Sequence, residues 1–447
     1  MLMSVVNMAN LHKSFHSLPS LRPSASSLQH TSNKTFTGSR RIETKGAQTK
    51  RTLSLVHSWR QIQGFNDWEN LIEPLNPILQ QEIIRYGEFA AACYKAFDLD
   101  PSSKRYLKCK YGKCTMLENV GMKDSGYSVT KYVYVTPDID FPSQDNCGRW
   151  IGYVAVSTDE ETKRLGRRDF LFAFRGTVSY PEWLVNLMHS LVLARFDPND
   201  PRSDVKVEAG FLSLYTSGGK DNKFTSGSCR EQLLSEVQRL LNKYEGEEIS
   251  ITLAGHSMGS SLALLFAYDI SELELNRDVS NNVIPITVFS FAGPRVGNLG
   301  FKKRCEELGI SVLRIVNSKD PITKMPGIFL NENSSLFGGK FELPWSCSCY
   351  VHVGVEIALD FFVMDKPICV HDLETYIEFL KCPKLLEMQD QGTDFVEEFI
   401  ANVQSKYCRC WRNAAKSMVN INAFSTFVCY WWIAAFVNVH LSGYISC

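Results

Sequence analysis

The chain of 447 residues has no excess of either charge: 48 Lys and Arg balance 48 Asp and Glu. With no basic surplus to neutralise phosphates, nucleic acid is excluded as a partner on electrostatic grounds. Long hydrophobic runs are scarce as well. The apolar core of the C-terminal tail, Phe424 to Val437, covers 14 residues, short of the ~20 that a membrane-spanning helix needs. The 14 cysteines lack the paired spacing of a zinc site, since the closest pairs, Cys347/Cys349 and Cys408/Cys410, are separated by one residue. They read as reduced, mostly buried thiols of an intracellular compartment, with disulfides as the second reading. Asp and Glu are missing from the first 42 residues, which are rich in Ser and Thr and carry Lys13, Arg22, Lys34, Arg40 and Arg41. A basic, hydroxyl-rich start without an apolar signal core reads as an organelle transit peptide; a disordered tail is the alternative. Hydroxyl residues outnumber arginines there, which favours chloroplast over mitochondrion.

Order is expected from Trp59 onward. Between Trp68 and Phe97 apolar residues recur at helical spacing (Leu71, Leu75, Ile78, Leu79, Ile83, Ile84), with Pro74 and Pro77 breaking the start, so short helices are predicted. Lys131 to Val135, Trp150 to Val156, Asp169 to Thr177, Ile249 to Ala254, Ile286 to Phe291 and Val312 to Val316 read as strands. Cys229 to Tyr244 and Ser260 to Ile270 read as helices. Strands alternating with helices over some 200 residues imply an α/β fold, a mainly parallel sheet flanked by helices.

Against that background the pentapeptide Gly255-His256-Ser257-Met258-Gly259 stands between a strand and a helix. This context turns Gly-x-Ser-x-Gly into a nucleophile elbow, with the serine hydroxyl exposed on a strained turn and small residues on either side. A serine hydroxyl is a poor nucleophile at neutral pH; it needs a base, and the base needs an acid to orient it. Asp320 follows the strand Leu313-Arg314-Ile315-Val316 through Asn317-Ser318-Lys319, and Pro321 keeps a helix from starting there. Its alternative reading is an Asp opening a turn. His371, after Pro367-Ile368-Cys369-Val370, stands at a loop-to-helix junction and is the expected base. His352 lies in the extended apolar run Tyr350 to Val355 and reads as a core or edge-strand residue, with the base role as its alternative. His256, inside the elbow, reads as structural. Of the two oxyanion donors, one is expected from the N–H of Met258 and the other from Thr177, where Arg175-Gly176-Thr177 ends a strand. The segment of about 178–196 places Leu184, Leu187, Met188 and Leu191 on one helical face beside the oxyanion loop. It reads as a lid, or else as a core helix.

Phe174-Arg175-Gly176-Thr177, the elbow, Ala292-Gly293-Pro294-Arg295-Val296-Gly297 and Asn317-Ser318-Lys319-Asp320-Pro321 together resemble the class 3 lipase signatures. Trp59-Arg60-Gln61-Ile62-Gln63-Gly64, Asn66-Asp67-Trp68, Glu82 to Glu88 and His371 to Tyr376 narrow the resemblance to the plant class I phospholipases A1, plastid acylhydrolases related to the anther-dehiscence lipase. It covers roughly Trp59 to Leu380. The resemblance implies an α/β-hydrolase fold and a triad of Ser257, Asp320 and His371. It also implies release of sn-1 fatty acid from phospholipids, with galactolipids or triacylglycerol as further substrates, at a membrane or lipid-droplet surface and without cofactor or metal. Two rival functions remain on sequence: a lipase-like scaffold without catalysis, and a soluble carboxylesterase. The expected organisation is a transit peptide over 1–58, a lipase domain over 59–385 and a divergent tail over 386–447. Ser417 to Cys447 of that tail lacks Asp, Glu, Lys and Arg. A helix packed on the domain, a membrane anchor and a divergent end all fit it.

Overall fold

Asn76 and Pro77 begin the helix that backs the site. Pro77 takes the first helical position, where its missing N–H has no intrahelical partner to lose. Asn76 Oδ1 accepts the N–H groups of Ile78 (2.9 Å) and Leu79 (3.3 Å). After α1 (Leu55–Ile62) and the 3₁₀ turn Phe65–Trp68, α2 therefore runs unbroken as Pro77–Ala96, where short helices were expected. The computed structural model describes residues 55–136, 148–178, 191–197, 202–218, 227–326, 350–361 and 370–382, all within the unit Leu53–Cys447.

Seven strands form the main sheet in the order β1-β2-β3-β6-β7-β8-β9. They are β1 (Tyr127–Val135), β2 (Arg149–Ser157), β3 (Arg168–Phe174), β6 (Ile249–His256), β7 (Ile286–Phe291), β8 (Ser311–Asn317) and β9 (Val355–Leu359). The first two pairings are antiparallel and those from β3 to β9 are parallel. This is the mainly parallel α/β sheet expected. The helices between are α3 (Met116–Asn119), α4 (Asp159–Leu165), α5 (Ala209–Thr216), α6 (Cys229–Lys243), α7 (Met258–Glu272), α8 (Leu299–Glu307) and α9 (Leu373–Lys381). A small ribbon pairs β4 (Leu191–Leu193) with β5 (Lys206–Glu208).

Alternation along each strand feeds two cores, one per face. Phe170, Phe172 and Phe174 pack with Ile251, Leu253 and Val288 toward α6 and α7. Leu171 and Ala173 pack with Ala254, Phe289 and Leu313 toward α2 and α9. Among the described residues no helix is long and apolar enough to cross a membrane.

At the amino ends of β3 and β6 a fully buried carboxylate, Asp169, accepts hydroxyl protons from Tyr127 (2.6 Å), Tyr86 (3.0 Å), Ser250 (2.7 Å) and Thr252 (2.5 Å). Burial alone raises its carboxyl, but the charges of Arg167 and Arg85 and these hydroxyls outweigh it and hold it below the ordinary value. A depressed carboxyl adds stability above its unfolded pKa of about 3.9 and loses it as pH falls through the folded value. Asp169→Leu is expected to remove about 3–5 kcal/mol at neutral pH by stranding buried guanidinium charge. It should also flatten the acid limb of stability below pH ~4, as urea midpoints across pH will show.

Candidate active site

The elbow is fixed by three backbone segments crossing at close range. Ser257 stands between β6 and α7 with φ 55° and ψ −127°, a conformation that costs on the order of 1–3 kcal/mol and is held by its surroundings. A Cβ on Gly255 would lie 2.3 Å from the carbonyl oxygen of Gly259. One on Gly259 would lie 2.6 Å from that of Arg175. Only glycine lets the end of β3, the elbow strand and α7 approach this closely. Ser257 N–H donates to Phe291 O over 2.9 Å, tying the turn to β7.

Ser257, Asp320 and His371, distant in sequence, meet beyond the carboxyl ends of β6 and β8. Ser257 Oγ lies 2.8 Å from His371 Nε2, and His371 Nδ1 lies 2.6 Å from Asp320 Oδ2. A carboxylate only accepts, so Nδ1 carries the proton and Nε2 is left to accept from the serine. Asp320 is fully buried and His371 nearly so. The carboxylate is held on both oxygens: Ile322 N–H donates to Oδ1 (3.0 Å) and Tyr376 Oη to Oδ2 (3.0 Å). Tyr376 in turn accepts the N–H of Asn317 (2.9 Å), and Asn317 Nδ2 donates to the carbonyls of Phe361 (2.9 Å) and Val370 (3.3 Å). The strand that delivers Asp320 thus grips the residue just before His371. Asp372 caps α9 by accepting from Thr375 N (3.0 Å), which fixes the turn carrying His371.

The two residues expected to supply the oxyanion donors, Thr177 and Met258, are neighbours in space. Arg175 Nη1 donates to Gly176 O over 2.8 Å. The Gly176–Thr177 peptide is planar and trans, so a carbonyl held by Arg175 turns the Thr177 N–H the opposite way. Thr177 Oγ1 donates to Met258 Sδ over 3.4 Å, which brings the two expected donor residues together. Arg175 itself is buried against the Phe97 ring, 3.8 Å from its centroid, and donates to Trp150 O. Burial pushes its guanidinium down to about 10, leaving it cationic at neutral pH.

His352 lies elsewhere. It lines a small cavity with Ser260, Ser290, Arg295 and Arg314, and burial, then the Arg314 and Arg295 charges, push its imidazole down to about 2. Of the expected lid, residues 179–190 lie outside the described part. Its end, Leu191–Leu193, is a strand of the small ribbon, and Phe196 is buried in the core, so the helical reading fails for that stretch. Residues 1–54 of the transit segment expected over 1–58, the tail 386–447 and the cysteine pairs 347/349 and 408/410 also lie outside the described residues, while Leu55 to Ser58 already belong to α1, so order begins before Trp59. Six described cysteines are free thiols, four of them buried. Among the described residues no group of three His, Cys, Asp or Glu side chains is placed to hold a metal.

Residues 171–330 match the family model for lipase (class 3). Galactolipase DONGLE, chloroplastic, of Arabidopsis thaliana is 63% identical over 353 residues, 78% of this chain and 75% of that protein. The chain belongs to the class 3 lipase family. Phospholipase A1-Ialpha2, chloroplastic, of Arabidopsis thaliana is 64% identical over 336 residues, 74% of this chain and 69% of the relative. Phospholipase A1 EG1, chloroplastic/mitochondrial, of Oryza sativa subsp. indica is 57% identical over 348 residues, covering 76% and 78%. As a class 3 lipase the protein is a carboxylic ester hydrolase. Three residues that hold this site carried no assigned role in the sequence: Arg175, Asn317 and Tyr376. Each stood there as an unexplained member of a quoted stretch: Phe-Arg-Gly-Thr, Asn-Ser-Lys-Asp and His371 to Tyr376.

Proposed function

We propose that the protein releases fatty acid from the sn-1 position of plastid glycerolipids, with Ser257 as nucleophile, His371 as base and Asp320 as its orienting acid. What carries this reading is the unbroken hydrogen-bond line from Ser257 Oγ through His371 to Asp320. His371 Nε2 takes the hydroxyl proton as Ser257 Oγ bonds to the ester carbonyl carbon, and the carbonyl electrons move to oxygen. The N–H groups of Thr177 and Met258 receive that oxyanion. Collapse breaks the ester C–O bond, the imidazolium returns its proton to the departing lysolipid alkoxide, and water repeats the cycle on the acyl-serine. Relatives named chloroplastic and the acid-poor, hydroxyl-rich start agree that the protein works in the chloroplast. The proposed organisation keeps the lipase domain at 59–385, the transit segment before it and a divergent tail after it, with peripheral association at the lipid surface.

The test is to incubate the purified protein with mixed phosphatidyl- and galactolipid vesicles and identify the lysolipids formed. Lysolipids lacking the sn-1 chain are expected. Cleavage of p-nitrophenyl esters without any lysolipid would replace this reading with a soluble carboxylesterase. Inertness toward both would replace it with a scaffold.

A further inference from the structure

Three hydrogen bonds link the oxyanion strand to the base through two side chains that the reaction itself does not consume. Gly176 N–H donates to Tyr94 Oη over 2.6 Å, Tyr94 Oη lies 2.6 Å from His256 Nδ1, and His256 Nε2 lies 3.0 Å from the carbonyl oxygen of His371. The proton positions follow from what each group can do. A peptide carbonyl only accepts, so His256 Nε2 bears a hydrogen. Tyr94 Oη already accepts from Gly176, and its own hydrogen goes to Nδ1 of His256. One neutral tautomer satisfies every member of the line. An imidazolium would aim Nδ1–H at the tyrosine oxygen and displace the hydroxyl hydrogen from its acceptor. Burial, and after it the neighbouring His371, hold the His256 imidazole well below its ordinary value, in keeping with that neutral form.

We propose that Tyr94 and His256 are a positioning pair that sets the distance between the oxyanion donors and the imidazole of His371. The proposal rests on the triad reading given above. Its physical reason is that, among the described residues, no strand pairing joins these two parts of the site. β3, which leads into Gly176, pairs with β2 and β6, while His371 stands just before α9, beyond the sheet. The Tyr94–His256 line spans that gap, with Tyr94 anchored on α2 and His256 at the end of β6. Its packing leaves no slack at Gly176, where a Cβ would lie 2.7 Å from Tyr94 Oη and 2.9 Å from Ser257 Cβ. When the base and the donors shift against each other, the attack geometry degrades, and a misplacement near 1 Å costs about 100-fold.

The test uses the full chain and a monomeric p-nitrophenyl ester, so that no lipid interface enters. Tyr94→Phe keeps the ring and removes only the hydroxyl. It is expected to lower kcat about 10- to 100-fold with KM within about twofold and little change in the thermal melt. His256→Gln retains an N–H for the His371 carbonyl but offers no acceptor where Nδ1 stood, so it should lose as much as Tyr94→Phe. The double variant should lose no more than either single, because both cut the same line. Unchanged kcat in Tyr94→Phe, or losses that multiply fully in the double variant, overturns the proposal. Should Tyr94→Phe fail to fold, His256→Gln decides alone by the same kcat-against-KM split. Ser257→Ala run alongside separates the two readings. If it stays active the triad is wrong; if it is dead while Tyr94→Phe and His256→Gln keep full kcat, only the positioning pair is wrong.

Discussion

Ser257→Ala is expected to reduce ester hydrolysis by about 10⁴- to 10⁶-fold while shifting the melting temperature by no more than ~3 °C. The two halves of this expectation have separate causes. Without Oγ no acyl-enzyme forms, and only the oxyanion donors and substrate binding remain, which accounts for the residual rate. Stability is spared because the backbone strain at φ 55° and ψ −127° belongs to the turn and is the same for alanine. The close approaches that hold the turn involve Gly255 and Gly259, which the substitution leaves alone. The hydroxyl itself sits at a half-buried position against His371 Nε2. Turnover of a p-nitrophenyl ester and a thermal melt on the same preparation check both halves. Retention of wild-type turnover would remove Ser257 from the mechanism and the triad with it.

The parts of the fold that were legible are those whose residues face two cores at once. Ile286–Phe291 is buried at every position, so its apolar run marks a central parallel strand with the right ends. The elbow strand and β8 are read for the same reason. β9 is not legible because it is an edge: Ile357 and Leu359 are buried while Glu356 and Ala358, which alternate with them, are exposed, with Glu356 pairing Arg314. Five residues of that kind do not stand out from a loop. Pro77 was taken for a helix breaker although it opens α2, since local composition alone does not separate the first turn from the interior. Leu191–Leu193 fits a helical stripe and a short ribbon equally well, and the pairing partner Lys206–Glu208 decides it from a distance. The meeting of Ser257, Asp320 and His371 was readable because each sits at a recognisable junction of elements. Tyr94 and Tyr376 sit inside ordinary helices, and what singles them out is the reach of a hydroxyl across tertiary contacts that no local pattern records.

Asp320→Asn separates orientation from charge more sharply than any truncation. In the wild type Oδ1 accepts the main-chain N–H of Ile322 at 3.0 Å, and Oδ2 faces His371 Nδ1 at 2.6 Å and Tyr376 Oη at 3.0 Å. A main-chain N–H only donates, so the asparagine has to keep its carbonyl oxygen at the Oδ1 position. Its amide NH₂ then occupies the Oδ2 position and donates toward His371 Nδ1, which becomes an acceptor. The imidazole proton moves to Nε2 and points at Ser257 Oγ, where a lone pair is needed to receive the hydroxyl proton. Tyr376 loses an acceptor and turns its oxygen to the amide, a rearrangement within hydrogen-bond reach. Turnover should therefore fall about 10⁴-fold with the fold retained, as a base in the wrong tautomer cannot start the attack. Ile322 gives the argument its direction, because a carboxamide free to flip would present oxygen to the imidazole and lose far less. A variant that keeps a tenth or more of wild-type turnover would mean that something other than Asp320 orients His371.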